Sequence, residues 1–241
     1  MLTIVTWLWK STGWRSEYHA GMVNTLCRMV ENNLTIPHRF VCITDMPHGI
    51  MCETIPLWED KTQPISKDWP NCYRRLKAFA PEMKEILGER FISLDLDCII
   101  TGNLDDIFSR TEDFVIMEGK ACLYNGSMWM MNAGARKEVY QDFDPEKSPL
   151  IALSMGQNRQ GGRPYGSDQA WISYKLGDGQ PMFTEKDGVY QFTELDSKKN
   201  PYRELEDKAK IVFFAGNKKP WTYDIFRELK EVYKMYQYEK F

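Results

Sequence analysis

Residues 91–102 read FISLDLDCIITG. Phe91, Ile92, Leu94, Leu96, Cys98, Ile99 and Ile100 make this the clearest candidate for a buried strand in the chain. Two aspartates, Asp95 and Asp97, interrupt it one position apart. Like charges that close resist burial, so they belong at the end of the strand rather than inside it. In an open parallel sheet that end is where ligands bind.

The flanking segments supply such a sheet. Leu2–Leu8 is a short apolar, β-branched run, and after a polar turn Tyr18–Glu31 places Met22, Leu26, Met29 and Val30 on one helical face. Arg39–Thr44 reads as a second strand and Glu53–Leu57 as a third. A helical stretch from Cys72 keeps Leu76 and Phe79 in register. Pro81 suits the first position of a further helix, PEMKEIL, which Gly88 closes. Strand and helix in alternation predict an α/β fold whose mostly parallel central sheet is flanked by helices. Further on, Phe114–Met117, Ser127–Met131 and Lys210–Phe214 read as strands, with helices over Asp168–Leu176 and Thr222–Tyr236. Asp142–Gly166, rich in proline, glycine and polar residues, reads as a long loop.

Composition narrows the function. The chain has 241 residues, 43% hydrophobic and 27% charged, with no low-complexity linker, and is expected to be one domain, residues 1–241. Its net charge of −3 gives no global basic field for nucleic acid. MLTIVTWLWK lacks a basic leader and reads as a core strand, not a signal peptide, and no apolar run is long enough to span a bilayer. Six cysteines show no C-x-x-C spacing, which suits reduced thiols in a cytoplasmic protein. On that reading, the glycosylation-type triplets at Asn33 and Asn125 carry no meaning. The C-terminal helix mixes tyrosines with nearly balanced charge, which favours a docking helix over stable membrane insertion.

Residues i and i+2 of a strand share a face, so Asp95 and Asp97 can converge on one point while Leu96 faces the core. Converging carboxylates suit a hard divalent cation, Mn²⁺ or Mg²⁺, which cancels their repulsion and keeps positions open for phosphate oxygens and water. The competing reading is an exposed strand end with two solvated aspartates.

Four segments decide between them. Asp95-Leu96-Asp97 followed by GNLDDIF, Tyr124-Asn125-Gly126-Ser127 followed by MWMMN, Gly166-Ser167-Asp168-Gln169, and Gly216-Asn217-Lys218-Lys219-Pro220-Trp221 occur in that order. Together they resemble the Asp-x-Asp, Phe-Asn-Ser-Gly, Asp-Gln and Gly-x-x-Lys-Pro-Trp elements of retaining glycosyltransferases of family 8, the group of glycogenin and bacterial galactosyltransferases. The resemblance covers nearly the whole chain. It implies a GT-A fold, with a nucleotide-sugar-binding half over about residues 1–120 and an acceptor half over about residues 121–241. It also implies sugar transfer from a nucleotide-diphosphate donor, a UDP-sugar, with anomeric retention.

Carried across, Asp95 and Asp97 would hold Mn²⁺ against the donor diphosphate. Asn125 would contact the donor sugar, Asp168 would bind sugar hydroxyls, and Gln169 would sit near the anomeric carbon. Lys219 would contact the diphosphate, with Gly216 allowing close backbone approach. Thr6 resembles a uridine contact, and Arg75 or Lys77 corresponds to a basic residue near the donor. Each has a plainer structural use. Asn125 suits a turn, Asp168 a helix cap, Gln169 a helix surface, and Lys219 a surface turn with Trp221 on the core. The tryptophans Trp7, Trp9, Trp14 and Trp129 suit packing better than sugar stacking. The loop Asn158–Pro164, with Arg159 and Arg163, suits a solvated loop better than a lid.

One position departs from the pattern: Phe213 stands where the family has a histidine, its third metal ligand. That departure keeps a second class open, a non-catalytic sugar-nucleotide- or glycan-binding protein. A haloacid-dehalogenase-type phosphohydrolase also places Asp-x-Asp after an apolar strand. However, Ile99 occupies the slot where that group has Thr or Val. Lipid-linked glycan, protein side chain, small glycan and modified nucleobase in viral DNA all remain open as acceptors. Compact size suits a bacterial or viral enzyme.

Overall fold

The computed structural model describes residues 1–10, 18–64, 70–155, 159–160, 163–164, 166–192, 208–214 and 219–220. The expected helix over Thr222–Tyr236 lies outside them, as do Trp14, Gly216, Trp221 and part of the loop Asn158–Pro164.

The elements run β1 (Leu2–Leu8), α1 (Ala20–Asn33), β2 (His38–Thr44), β3 (Glu53–Pro56), a 3₁₀ helix (Asn71–Phe79), α2 (Met83–Leu87), β4 (Arg90–Leu94), β5 (Cys98–Ile100), α3 (Asp105–Phe108), β6 (Phe114–Glu118) and β7 (Tyr124–Asn132). Then follow α4 (Glu138–Gln141), α5 (Ser148–Met155), β8 (Arg159–Gln160), β9 (Arg163–Pro164), α6 (Asp168–Leu176), β10 (Met182–Phe183), β11 (Val189–Gln191) and β12 (Ile211–Phe213). Seven strands form a mostly parallel central sheet in the order β10-β6-β7-β4-β1-β2-β3, flanked by helices. The chain moves from β1 through β2 to β3 in one direction, while β4 lies on the other side of β1. The strand order therefore reverses at the β1–β4 pair, the topological switch point at which open α/β sheets bind ligands.

The chain packs as two compact units. The first gathers Met1–Ile4, Leu57–Ser93 and Thr111–Met182; the second gathers Val5–Pro56, Leu94–Arg110 and Phe183–Phe241. In the first, Phe79 stacks on Trp129 at 5.6 Å between ring centroids and meets Phe114 at 6.0 Å. Phe91, Met83 and Leu87 are wholly buried in the same unit. In the second, Val23, Leu26, Met29 and Val30 of α1 and Val41, Cys42 and Ile43 of β2 are wholly buried. Each such aliphatic side chain contributes about 1.5–3 kcal/mol of transfer free energy.

Two local readings change. Asp142–Gly166 is not loop throughout, because α5 occupies Ser148–Met155. Pro149 is tolerated in its first turn, and the Asp144 carboxylate accepts hydrogen bonds from the Glu146 and Lys147 amides, both at 2.9 Å, just ahead of the helix. The strand expected from Phe91 runs over Arg90–Leu94, so Asp95 and Asp97 lie on the bend that follows rather than on the strand. The bend is required because β5 leaves the central sheet. It pairs instead with β12, antiparallel, in a three-stranded sheet ordered β11-β12-β5.

Candidate functional site

Two groups of the singled-out residues assemble, one in each unit. In the second unit the group forms where β4 gives way to the acidic bend. On the bend Leu96 and its neighbour Asp97 are both buried, Asp97 at 8% exposure, while Asp95 is half-buried, so the expected strand alternation of the two carboxylates against Leu96 is not found. The Asp97 backbone carbonyl accepts the Phe214 amide at 2.9 Å, which fixes the bend to the end of β12. Oδ2 of Asp97 accepts the Tyr18 hydroxyl at 3.0 Å and is also the ion-pair partner of the Lys219 ammonium. Lys219 is 2% exposed, and its Nζ lies 5.7 Å from the centroid of the Tyr18 ring. A buried ammonium is stable only when paired, and here the pair is made with a carboxylate that is itself buried.

The Cys98 thiol lies next to the bend. Burial pushes its pKa well above the usual value, and the Asp97 and Asp95 carboxylates push it further in the same direction. Thr6 is wholly buried, and its hydroxyl donates to the Leu94 carbonyl at 2.9 Å, tying β1 to β4 at the switch point.

Phe213 is 2% exposed and pairs with Cys98 across the β12–β5 ladder, so the position expected to carry a histidine stands beside the bend. Among the described residues no group of three or more His, Cys, Asp or Glu side chains is arranged to hold a metal. The bend itself supplies two carboxylates separated by one buried leucine. That oxygen-only donor pair suits a hard divalent cation whose other ligands are phosphate oxygens and water. Asp95 and Asp97 are the residues that would hold it.

The other group lies in the first unit. Arg75, on the 3₁₀ helix, is buried, and its Nε donates to Asp168 Oδ2 at 2.8 Å. Its Nη2 lies 2.5 Å from the same oxygen, and its Nη1 donates to the Gly126 carbonyl at 2.9 Å. The guanidinium also lies over the Trp129 ring, 5.4 Å from the centroid. Gln169 Oε1 accepts the Gly126 amide at 3.3 Å. Asn125 is buried within β7 rather than in a turn ahead of it, and its Oδ1 accepts the Ser127 amide at 2.9 Å. Gly126 is hemmed in: a Cβ there would lie 3.1 Å from Arg75 Nη2 and 3.4 Å from Gln169 Cβ. Asp168 is the first residue of α6, not its cap; the cap is Ser167, whose Oγ accepts the Ala170 amide at 3.4 Å.

Of the two basic candidates, Arg75 joins this group and Lys77 does not. Lys77 pairs with Glu82, donates to the Tyr140 hydroxyl at 3.2 Å and lies 3.9 Å from Asp60. The first unit also holds a cavity of about 450 Å³ lined in part by Glu118, Lys120, Leu123, Met155 and Ser173. Neither Asn125, Asp168 nor Gln169 lines it.

Sequence reasoning missed three members. Tyr18 reaches Asp97 only through the fold and leaves no local trace. Gly126 and Ser167 stand inside the quoted motifs, where their spacing to Asn125 and Asp168 was the available signal.

No family model and no curated protein matches the chain. Solved structures do. A galactosyltransferase, LgtC, in complex with donor and acceptor sugar analogs aligns with TM-score 0.61 and 12% identity, over 99% of this chain and 96% of that one. The glycosyltransferase GlyE of Streptococcus pneumoniae aligns with TM-score 0.62 and 13% identity, over 98% of this chain and 61% of that one. An active-site glutamine-to-glutamate mutant of LgtC gives TM-score 0.58 at 12% identity, over 96% and 95% of the two chains. At these identities the likeness is one of fold.

Proposed function

We propose that the protein is a glycosyltransferase that moves a sugar from a nucleotide-diphosphate donor, a UDP-sugar, to an acceptor with retention at the anomeric carbon. The observation that carries this reading is the buried pairing of Lys219 with Asp97 beyond the carboxyl end of β4, at the sheet's switch point. The fold it shares with structures of glycosyltransferases supports transfer over the phosphohydrolase alternative. One of those structures contains donor and acceptor sugar analogs, which favours a sugar-bearing acceptor here. The cytoplasm suits such a donor.

Breaking a bond between sugar and phosphate leaves a nucleoside diphosphate on which negative charge develops. Lys219 is the cation this chain supplies to that charge, where a preorganised positive group stabilises the transition state most. A divalent cation, Mn²⁺ or Mg²⁺, held by Asp95 and Asp97 would add Lewis-acid neutralisation of the same oxygens. Asp168, oriented by its ion pair with Arg75, accepts hydrogen bonds from sugar hydroxyls. Gln169 presents an amide dipole toward a carbon that becomes cation-like, and Asn125 contacts the donor sugar. Gly216 and Thr6 complete the donor contacts, Thr6 through the backbone it anchors.

The buried Phe213 favours a second reading, a sugar-nucleotide-binding protein without turnover. A thermal-shift panel of nucleotide sugars with and without Mn²⁺ tests the binding that both readings share. A donor at 100 times its Kd stabilises the fold by about 2.7 kcal/mol. The proposal expects UDP-sugars to raise Tm, more so with Mn²⁺. No rise with any nucleotide sugar contradicts it, and a rise without UDP release selects the second reading.

A further inference from the structure

Asn24, on α1, ties the helix to the chain that leads into β3. Its Nδ2 donates to the Gly49 carbonyl at 2.9 Å, and its Oδ1 accepts the Met51 amide at 2.8 Å. Cys27 follows Asn24 by three positions and so lies on the same helix face, while Cys52 follows Met51 directly. The two bonds bring two half-buried thiols together, and the Cys27 thiol hydrogen-bonds the Cys52 sulfur. Both residues belong to the second unit, and neither enters the transfer chemistry proposed above.

The pair is asymmetric. The hydrogen bond from Cys27 holds the Cys52 pKa below its ordinary value, although burial opposes it. The same contact raises the Cys27 pKa, and burial and then the Glu31 carboxylate push it further up. Glu31 Oε1 lies 3.6 Å from Cys27 Sγ. The carboxylate next to Cys52 along the chain, Glu53, is engaged by Arg39, whose Nε donates to its Oε2 at 2.7 Å. Of the two sulfurs, Cys52 ionises first, and the thiolate is the form that attacks a disulfide.

We propose that Cys27 and Cys52 are a reversible dithiol–disulfide pair, oxidised by small-molecule disulfides of the glutathione class, that locks α1 to the chain entering β3. The Cys52 thiolate attacks one sulfur of the small disulfide, forming a mixed disulfide and releasing one small thiolate. Cys27 then gives up its proton, with the Glu31 carboxylate beside it to accept it, and attacks the Cys52 sulfur. The protein disulfide forms and the second small thiolate leaves. Two protein thiols are oxidised, and the small disulfide is reduced to two thiols. In a reducing compartment such a bond is transient, which suits a control element and not a structural staple. Cys42 is the competing partner: it is wholly buried on β2, and its pKa is pushed up by burial and then by Cys52. Burial hides it and keeps its proton in place, so Cys27 is the resolving sulfur.

The test treats the reduced full chain with oxidised glutathione, blocks the remaining thiols with N-ethylmaleimide and maps the peptides by mass. Wild type is expected to lose two hydrogens in mass through a Cys27–Cys52 disulfide that dithiothreitol reverses. That product is expected before any adduct accumulates on Cys72 or Cys122, which are also half-buried. Cys27→Ser is expected to stop at a glutathione adduct on Cys52, and Cys52→Ser to leave Cys27 unmodified over the same time. The oxidised wild type is expected to melt higher than the reduced form. A Cys42–Cys52 disulfide, adducts without any disulfide, or a wild type that resists oxidation would each overturn the pair. Equal melting of the two forms would overturn the lock, and an adduct on Cys27 in Cys52→Ser as fast as that on Cys52 in Cys27→Ser would overturn the order of attack.

Discussion

Arg75 shows how much one buried side chain decides. It pairs with Asp168, bonds the Gly126 carbonyl and covers Trp129, so its removal takes the ion-pair partner from a carboxyl group that is 2% exposed. Breaking a buried pair from one side costs about 3–5 kcal/mol, whereas removing both charges costs far less. Arg75→Met is accordingly expected to lose about that much stability in urea melts, and Arg75→Met with Asp168→Asn to recover much of it. Additive losses would show that the pair is not coupled. Gly126→Ala tests the same packing from the other side. Its Cβ would stand 3.1 Å from Arg75 Nη2, so a loss of about 1–3 kcal/mol is expected, together with weaker donor binding.

At this scale the sequence was partly legible. Arg75 and Lys77 were equal candidates for the basic residue that the family resemblance implies, and only the fold, which turns Lys77 to Glu82 and Tyr140, separates them. Tyr18 was invisible because its partner lies 79 residues away along the chain.

At the scale of elements, apolar runs marked β1, β2, β4, β6 and β7, because buried strands of a mostly parallel sheet are apolar along their length, and a further apolar run marked β12 of the three-stranded sheet. The bend at Asp95–Asp97 was not legible as a bend: nothing local states that β5 pairs with β12 instead of continuing the central sheet. α5 was hidden by the glycines and prolines around it, although the Asp144 carboxylate just ahead of it is a recognisable start signal.

Both helix starts yield predictions. Ser167→Ala removes the α6 cap and is expected to cost about 1 kcal/mol, read from the shift in urea midpoint. Asp144 is held below its ordinary pKa chiefly by the Lys147 amide and then by that of Glu146. A carboxylate with a depressed folded pKa contributes stability that is complete above its unfolded value, about pH 4, and is lost as pH falls through the folded value. Wild type is therefore expected to lose more stability than Asp144→Asn on acidification below about pH 4. Parallel losses in the two proteins would exclude this contribution.

For the whole molecule, strand order matters more than any single motif. The reversal at β1–β4 sets the acidic bend beyond a sheet end, and Thr6 and Phe214 fix the backbone on either side of it. Among the described residues no helix is long and apolar enough to cross a membrane. The alternation of strands and helices around FISLDLDCIITG was enough to foresee the architecture. The side-chain assembly around Asp97 needed the fold, since its members come from segments far apart in the chain.

The most direct test of the account is UDP release from a panel of UDP-sugars in the presence of Mn²⁺, comparing wild type with Asp97→Asn and Lys219→Met. The account predicts release by wild type from at least one donor and a loss of about 10²-fold or more in each variant, the scale of removing one charge-stabilising group. Release at an undiminished rate by Asp97→Asn, or none by wild type with any donor, would contradict it.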